Sequence, residues 1–190
     1  MGTIKTTNIE PIATNGTVTL GSSGDTFTVP SGVTVNMSSA TQTGVGGANT
    51  PAFALHKTSD QTVGTGALTT VTWDASSIDT DSGVDLSNNK YVVPSGKGGT
   101  YFLNYFVGTE HGGRWIINIK INGTVKIESD KTLDNSGIYG MYNVSGIISL
   151  SAGDEITACY YALNGSGTNI RYQNTSTAYL TKLEGYRLIT

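Results

Sequence analysis

Charge is scarce in this sequence. Asp, Glu, Lys and Arg make up 13% of its 190 residues, against about 25% in ordinary soluble domains. Fourteen acidic and eleven basic side chains leave a net charge of −3. No basic patch or stripe is present, which excludes the electrostatic footprint of a nucleic-acid partner. Cysteine occurs once, at Cys159 in the apolar run ITACYYAL, so no intramolecular disulfide framework exists and the thiol reads as buried and inert. No apolar run approaches the roughly 18 residues of a membrane-spanning helix. The opening residues MGTIKTTNIEP lack the apolar core of a secretory signal, so synthesis in the cytoplasm without secretion is the expectation. Helical periodicity is also missing, since no segment of ten or more residues repeats its apolar positions every three to four.

Glycine, threonine and serine fill the space left by charge, with 25 glycines alone. That palette builds short strands joined by tight turns. Two textures divide the chain. Over residues 1–50 short alternating pieces, TVTL (17–20), TFTV (26–29) and VTVN (33–36), are separated by Gly-containing turns. Val18, Leu20, Phe27, Val29, Val33 and Val35 form their apolar set. One copy of such strands buries too little to be stable alone. The region therefore reads as a slender β stalk, and identical chains wound together would pool its apolar faces. QTGVGGANTP (42–51) reads as a joint; its glycines lack the Lys-Ser/Thr and helix of a phosphate cradle.

From residue 51 onward the strands lengthen and aromatics arrive. AFALH (52–56), LTTVTW (68–73) and NKYVV (89–93) lead to the most informative stretch, YVVPSGKGGTYFLNYFV (91–107). Pro94 fixes φ and removes a donor, and the glycines at 96, 98 and 99 permit a reversal. The strand that follows alternates Tyr101, Leu103, Tyr105 and Val107 with Phe102, Asn104 and Phe106. Bulky residues on both faces demand cover on both sides, which suits a sheet packed against its own copies. RWIINIKINGTVKIE (114–128) places Asn122–Gly123 between two strands, the strongest short hairpin signal. YNVSGIISL (142–150), ITACYYAL (156–163) and STAYLTKLEGYRLI (176–189) complete an all-β chain. Tyr101, Tyr105, Tyr160 and Tyr161 fit either the sandwich core or a subunit interface, where an amphipathic ring fills space and its hydroxyl finds a partner.

Taken in order, these segments resemble the globular head of the complement-1q/tumour-necrosis-factor-like superfamily. WDASSIDTDSGVDLSNNKYVVP (73–94) is similar to its strand–acidic turn–strand opening, and GGTYFLNYFV (98–107) to its Gly-x-Tyr-x-Phe strand. INIKINGTVK (117–126), VSGIISLSAGDEI (144–156) and YLTKLEGYRL (179–188) resemble the hairpin, the Gly-Asp turn and the closing strand, with Leu183 where the family usually has Phe. The resemblance implies a ten-stranded jelly-roll sandwich at 51–190 that assembles as a homotrimer and binds receptors or saccharides without catalysis. IKTTNIEPIATNGTVTLGSSGDTFTVPSG resembles the N-terminal region of tailed-bacteriophage virion proteins carrying such heads.

Several polar groupings are candidate sites. Asp79, Asp81 and Asp85 alternate around Gly83 and supply the oxygens a calcium loop needs, though no closing Glu or flanking helix accompanies them. Glu110, His111 and Arg114 group an acid, an imidazole and a guanidinium between two strands and read as a surface contact patch. Lys131, Asn164 and Asn169 lie in loops rich in hydrogen-bonding side chains. His56, alone in an apolar strand, reads as structural. The expectation is a non-enzymatic virion protein, a tail fibre or appendage. Its N-terminal region would contact other virion proteins, and its head a host-surface protein or glycan. A capsid decoration protein is the alternative, and a glycan-cleaving fibre enzyme a further one. No cofactor is expected beyond the possible calcium, and no nucleic acid or membrane insertion.

Overall fold

Strict alternation along the aromatic strand sets the architecture. In the structure, a computed structural model that describes residues 19, 21–35, 49–109, 113–133, 140–163, 168–172 and 180–188, this segment is β7 (Gly99–Thr109). Its inward row, Tyr101, Leu103, Tyr105 and Val107, is fully buried. β7 lies between β10 (Gly140–Leu150) and β13 (Lys182–Arg187), and all three run antiparallel. β13 continues to β1 (Ala52–His56) and then β4 (Ala75–Asp79). β12 (Thr168–Arg171) and β2 (Gln61–Val63) complete a seven-stranded sheet beyond the end of β13.

A six-stranded sheet lies opposite. It runs β5 (Val84–Asp85), β6 (Lys90–Val92), β11 (Glu155–Leu163), β8 (Gly113–Ile121) and β9 (Thr124–Leu133), with β3 (Leu68–Thr70) also on β11. Trp115, Ile117, Ile119 and Ile121 from β8, with Ile156, Ala158 and Tyr160 from β11, meet the β7 row in one core. Among the described residues there is no helix. The all-β expectation holds, and the two alternating rows read along the aromatic strand are the two faces of β7.

The strand inventory differs from the sequence reading. Among the described residues there are thirteen strands, and β2, β3 and β5 are pieces of two or three residues. LTTVTW shortens to Leu68–Thr70: Val71 keeps one backbone hydrogen bond to the Ala158 carbonyl of β11 at 2.9 Å, and Val71 and Trp73 stay buried beyond the strand. Asn122 and Gly123 both hold positive φ, 51° and 77°, as the hairpin between β8 and β9 requires.

By their internal contacts the residues fall into two units, Met1–Val45 and Gly46–Thr190. Within the first, residues 21–35 are all exposed and carry no strand. The strands expected at 26–29 and 33–36 are therefore absent from the described residues of a single chain, which gives them no hydrogen-bonding neighbour. TVTL lies almost entirely outside the described residues.

Two glycines separate packing from backbone constraint. A Cβ on Gly83 would overlap a Tyr91 ring carbon and sit 2.6 Å from the Val92 carbonyl oxygen. Gly123 has open space but a φ of 77°. Gly83→Ala is expected to cost about 3 kcal/mol through overpacking, and Gly123→Ala about 1 kcal/mol through backbone strain. Urea unfolding of the two variants checks the order; an equal or reversed pair would contradict this packing.

Candidate functional site

The acidic loop is tied to the corner that opens β7. Asp79 accepts hydrogen bonds from the backbone N–H of Gly83 (2.9 Å) and Val84 (3.3 Å), closing its own turn. Asp81 instead reaches across to Lys97 of the PSGKGG corner, 2.8 Å away. That contact and the Thr80 hydroxyl hold its carboxyl below the usual carboxylate range. Asp85 accepts from the Ser87 hydroxyl and from Asn88, which lower its pKa as well. The three carboxylates thus serve three different sets of donors. Among the described residues no group of three or more His, Cys, Asp or Glu side chains is placed to hold a metal ion. Turn chemistry accounts for the Asp-Gly pattern.

Beside this loop, Tyr91 stacks on Phe53 with ring centroids 3.8 Å apart. The Tyr101 hydroxyl donates to the Lys97 carbonyl at 2.6 Å. Burial drives the Tyr101 hydroxyl up to about 12, and it pushes Tyr105 and Tyr160 well above the ordinary tyrosine range. Tyr101, Tyr105 and Tyr160 are core residues of the protomer; Tyr161 is half-buried.

The remaining sequence candidates do not gather into one site. Arg114 on β8 makes a bidentate ion pair with Asp130 on β9, through Nε at 3.0 and 3.1 Å and through its terminal nitrogen. This pairing raises the guanidinium's pKa and lowers the carboxyl's. Lys131 is exposed on the same strand. Asn169 belongs to the other sheet, where its Oδ1 accepts from the Thr62 hydroxyl at 3.0 Å. Glu110, His111 and Asn164 lie outside the described residues. His56 is buried, and burial lowers its pKa.

Two features lie beyond the sequence reading, and a third, the outward face of the β7 sheet, extends the bulky second row already expected there. Lys57 is 1% exposed; its Nζ donates to the Thr72 carbonyl (2.8 Å) and hydroxyl (3.2 Å) and faces Asp74 at 3.5 Å. Burial lowers the lysine's pKa, with Asp74 opposing it. This pin joins the end of β1 to the segment before β4, and nothing in the local sequence distinguishes it from a solvated lysine.

A polar groove of about 590 Å³ lies along the β8–β9 hairpin and β10. Ile121 and Ile148 form its apolar lining, with Thr124, Lys126 and Ser149 beside them. Asn122 closes it by donating to Asp154 (2.8 Å) and accepting from the Glu155 N–H (2.9 Å). Both turns were legible in the sequence, but their adjacency was not.

The third feature is the outward face of the seven-stranded sheet. Ile147, Phe102, Tyr186 and Ala52 stand in register across β10, β7, β13 and β1, and Ile78 pairs with Ala54 in the next row. Ile147 is 68% exposed, and Met141, Ile78 and Tyr186 are exposed too. Phe102 and Tyr186 contact each other at 5.6 Å, and an apolar groove of about 160 Å³ runs between Phe102, Tyr186 and Ile78. Asn104 is buried at the centre of this face, where its amide donates to Glu184 at 3.0 Å. β10 is an edge strand without a single charge, whereas the edge strand β9 carries Lys126, Glu128, Asp130 and Lys131. Charge protects a free edge from pairing, and its absence leaves β10 open to a partner.

A scan against family models finds no match, and a search of curated proteins finds no relative. Among solved structures, the globular domain of zebrafish complement 1qA protein is similar in fold, with a TM-score of 0.50 and 12% identity. The similarity covers 73% of this chain and 97% of that domain. The complement-1q-like jelly roll is therefore the observed fold.

Because Asp79, Asp81 and Asp85 are each committed to protein donors, the melting temperature is expected to be the same in millimolar calcium and in chelator. A calcium-dependent rise lost on replacing Asp81 with Asn would show that the loop rearranges around a cation.

Proposed function

We infer that this chain is a non-enzymatic structural protein of a tailed-bacteriophage particle, a homotrimeric fibre or appendage whose C-terminal jelly roll is a binding head. The largely apolar outward face across β10, β7, β13 and β1, on which the charged Lys182 and Glu184 pair with each other at 3.0 Å, carries the assembly part of this reading. Patches of this kind, continuous across strands and open on a protomer, mark interaction surfaces. Three-fold closure gives each copy the same covered face and leaves no open chain of contacts. Support for the particle setting is the sparsely charged, threonine-rich N-terminal texture, and support for the head is the complement-1q-like fold.

In this reading the N-terminal region attaches to other virion proteins. The groove beside Lys126, rather than the paired Arg114, offers a surface for a host glycan or protein. Its hydroxyls and ammonium suit weak hydrogen-bonding contacts, and trimerisation converts weak single sites into avidity.

Light scattering is expected to return three times the 19.9 kDa protomer mass. Ile147→Lys, which sets a charge in the apolar row, is expected to return a single protomer mass with unchanged far-UV circular dichroism. A wild-type chain of protomer mass would contradict the trimer, and an Ile147→Lys chain that stays trimeric would move the interface elsewhere. Labelling intact particles with antibody then locates the protein: signal on the tail supports a fibre, and signal over the capsid supports the decoration alternative.

A further inference from the structure

One turn occurs three times in this chain. Ser22-Ser23-Gly24-Asp25, Pro30-Ser31-Gly32-Val33 and Pro94-Ser95-Gly96-Lys97 share the pattern Ser/Pro-Ser-Gly-x. In each, the N–H of the fourth residue donates to the carbonyl of the first, at 3.0, 3.3 and 3.0 Å respectively. In each, the glycine holds a positive φ, 94°, 83° and 73°. In the head, the turn at Pro94 links the region of β6 to β7, so it stands where one strand of a sandwich gives way to the next. The two N-terminal turns begin eight residues apart, and Ser38-Ser39-Ala40 follows at the same interval in the sequence. Behind each of the first two corners comes an alternating segment, with Phe27 and Val29 in one and Val35 and Met37 at the equivalent positions of the next.

Two corners of the same geometry eight residues apart form a short repeat, too small to bury its apolar side chains within one chain. Phe27, Val29, Val33 and Val35 are 70%, 36%, 58% and 52% exposed in the single chain. Between Glu10 and Lys57 the only charge is Asp25, so the segment offers a differently charged partner nothing to recognise. What it does offer is its own pattern. Threonines and valines alternating between identical corners form a surface complementary to a second copy in the same register.

We propose that residues 22–35 are one full unit and most of a second of an eight-residue corner-and-strand repeat whose apolar face is covered by the same segment of the other copies, aligned in register. This rests on the trimeric reading above and deepens it, because it specifies which side chains meet and at what spacing. Phe27 meets Phe27 and Val35 meets Val35 around a common axis, while Thr28 and Thr34 point away from it.

Single cysteines in the full-length chain test the register, with the native Cys159 buried and replaced by Ser. Identical positions that meet at an axis bring their Cβ atoms within disulfide range, and positions on the opposite side do not. Mild oxidation is expected to link Phe27→Cys and Val35→Cys chains into covalent dimers about tenfold faster than Thr28→Cys and Thr34→Cys chains. Light scattering of the reduced variants runs in parallel. Trimeric mass with selective linking at 27 and 35 supports the proposal. Trimeric mass with equal, absent or inverted linking overturns the repeat while leaving the trimer standing. Protomer mass overturns both.

Discussion

A strand has two faces, and β7 carries bulky residues on both. Period-two geometry makes this unavoidable: once Tyr101, Leu103, Tyr105 and Val107 turn into the sandwich, Phe102, Asn104 and Phe106 must turn out. The opposite sheet seals the first row completely. In the single chain the second row receives only partial cover, from Tyr186 and from the Lys182 ammonium lying 4.9 Å above the Phe106 ring. The rest of the head follows from this arrangement. β10 and β13 flank β7 to complete its ladder, and the uncharged edge of β10 extends the outward row to Ile147.

Polar groups around the head chiefly hold this strand in place. Lys97 and Asp81 tie the corner before β7 to the acidic loop, Tyr101 fastens its hydroxyl to the same corner, and Lys57 pins the β1 end of the sheet. Such groups look functional when read singly, because carboxylates, lysines and glycines are also the vocabulary of metal and binding sites. Their partners assign them to scaffolding. What remains unclaimed is the groove beside Lys126 and the apolar outward row, one polar and one apolar. That pairing suits a head that grips with one surface and assembles with another.

Much of this fold was legible in the sequence because strand alternation and turn chemistry are local. The Asn122–Gly123 hairpin, the two alternating rows of β7 and the range of β1 follow from residues a few positions apart. The site was less legible, because it depends on pairs far apart in sequence. Asn122 with Asp154, Ile147 with Phe102, and Lys57 with Thr72 and Asp74 are set by sheet topology. The acidic loop is a candidate calcium site in the sequence, beside a plain turn, because Asp and Gly serve turns and calcium alike. Tyr105 and Tyr160 left core and interface equally open, and only the closing of the second sheet placed them inside.

The account stands on the claim that the outward face of β7 is covered by another copy of the same chain. An electron cryo-microscopy map of the purified full-length protein tests this most directly. Three-fold density with Phe102, Ile147 and Tyr186 at the subunit contact is the predicted result. A particle whose subunits meet through the six-stranded sheet, or one in which the Phe102 row faces solvent, would contradict it.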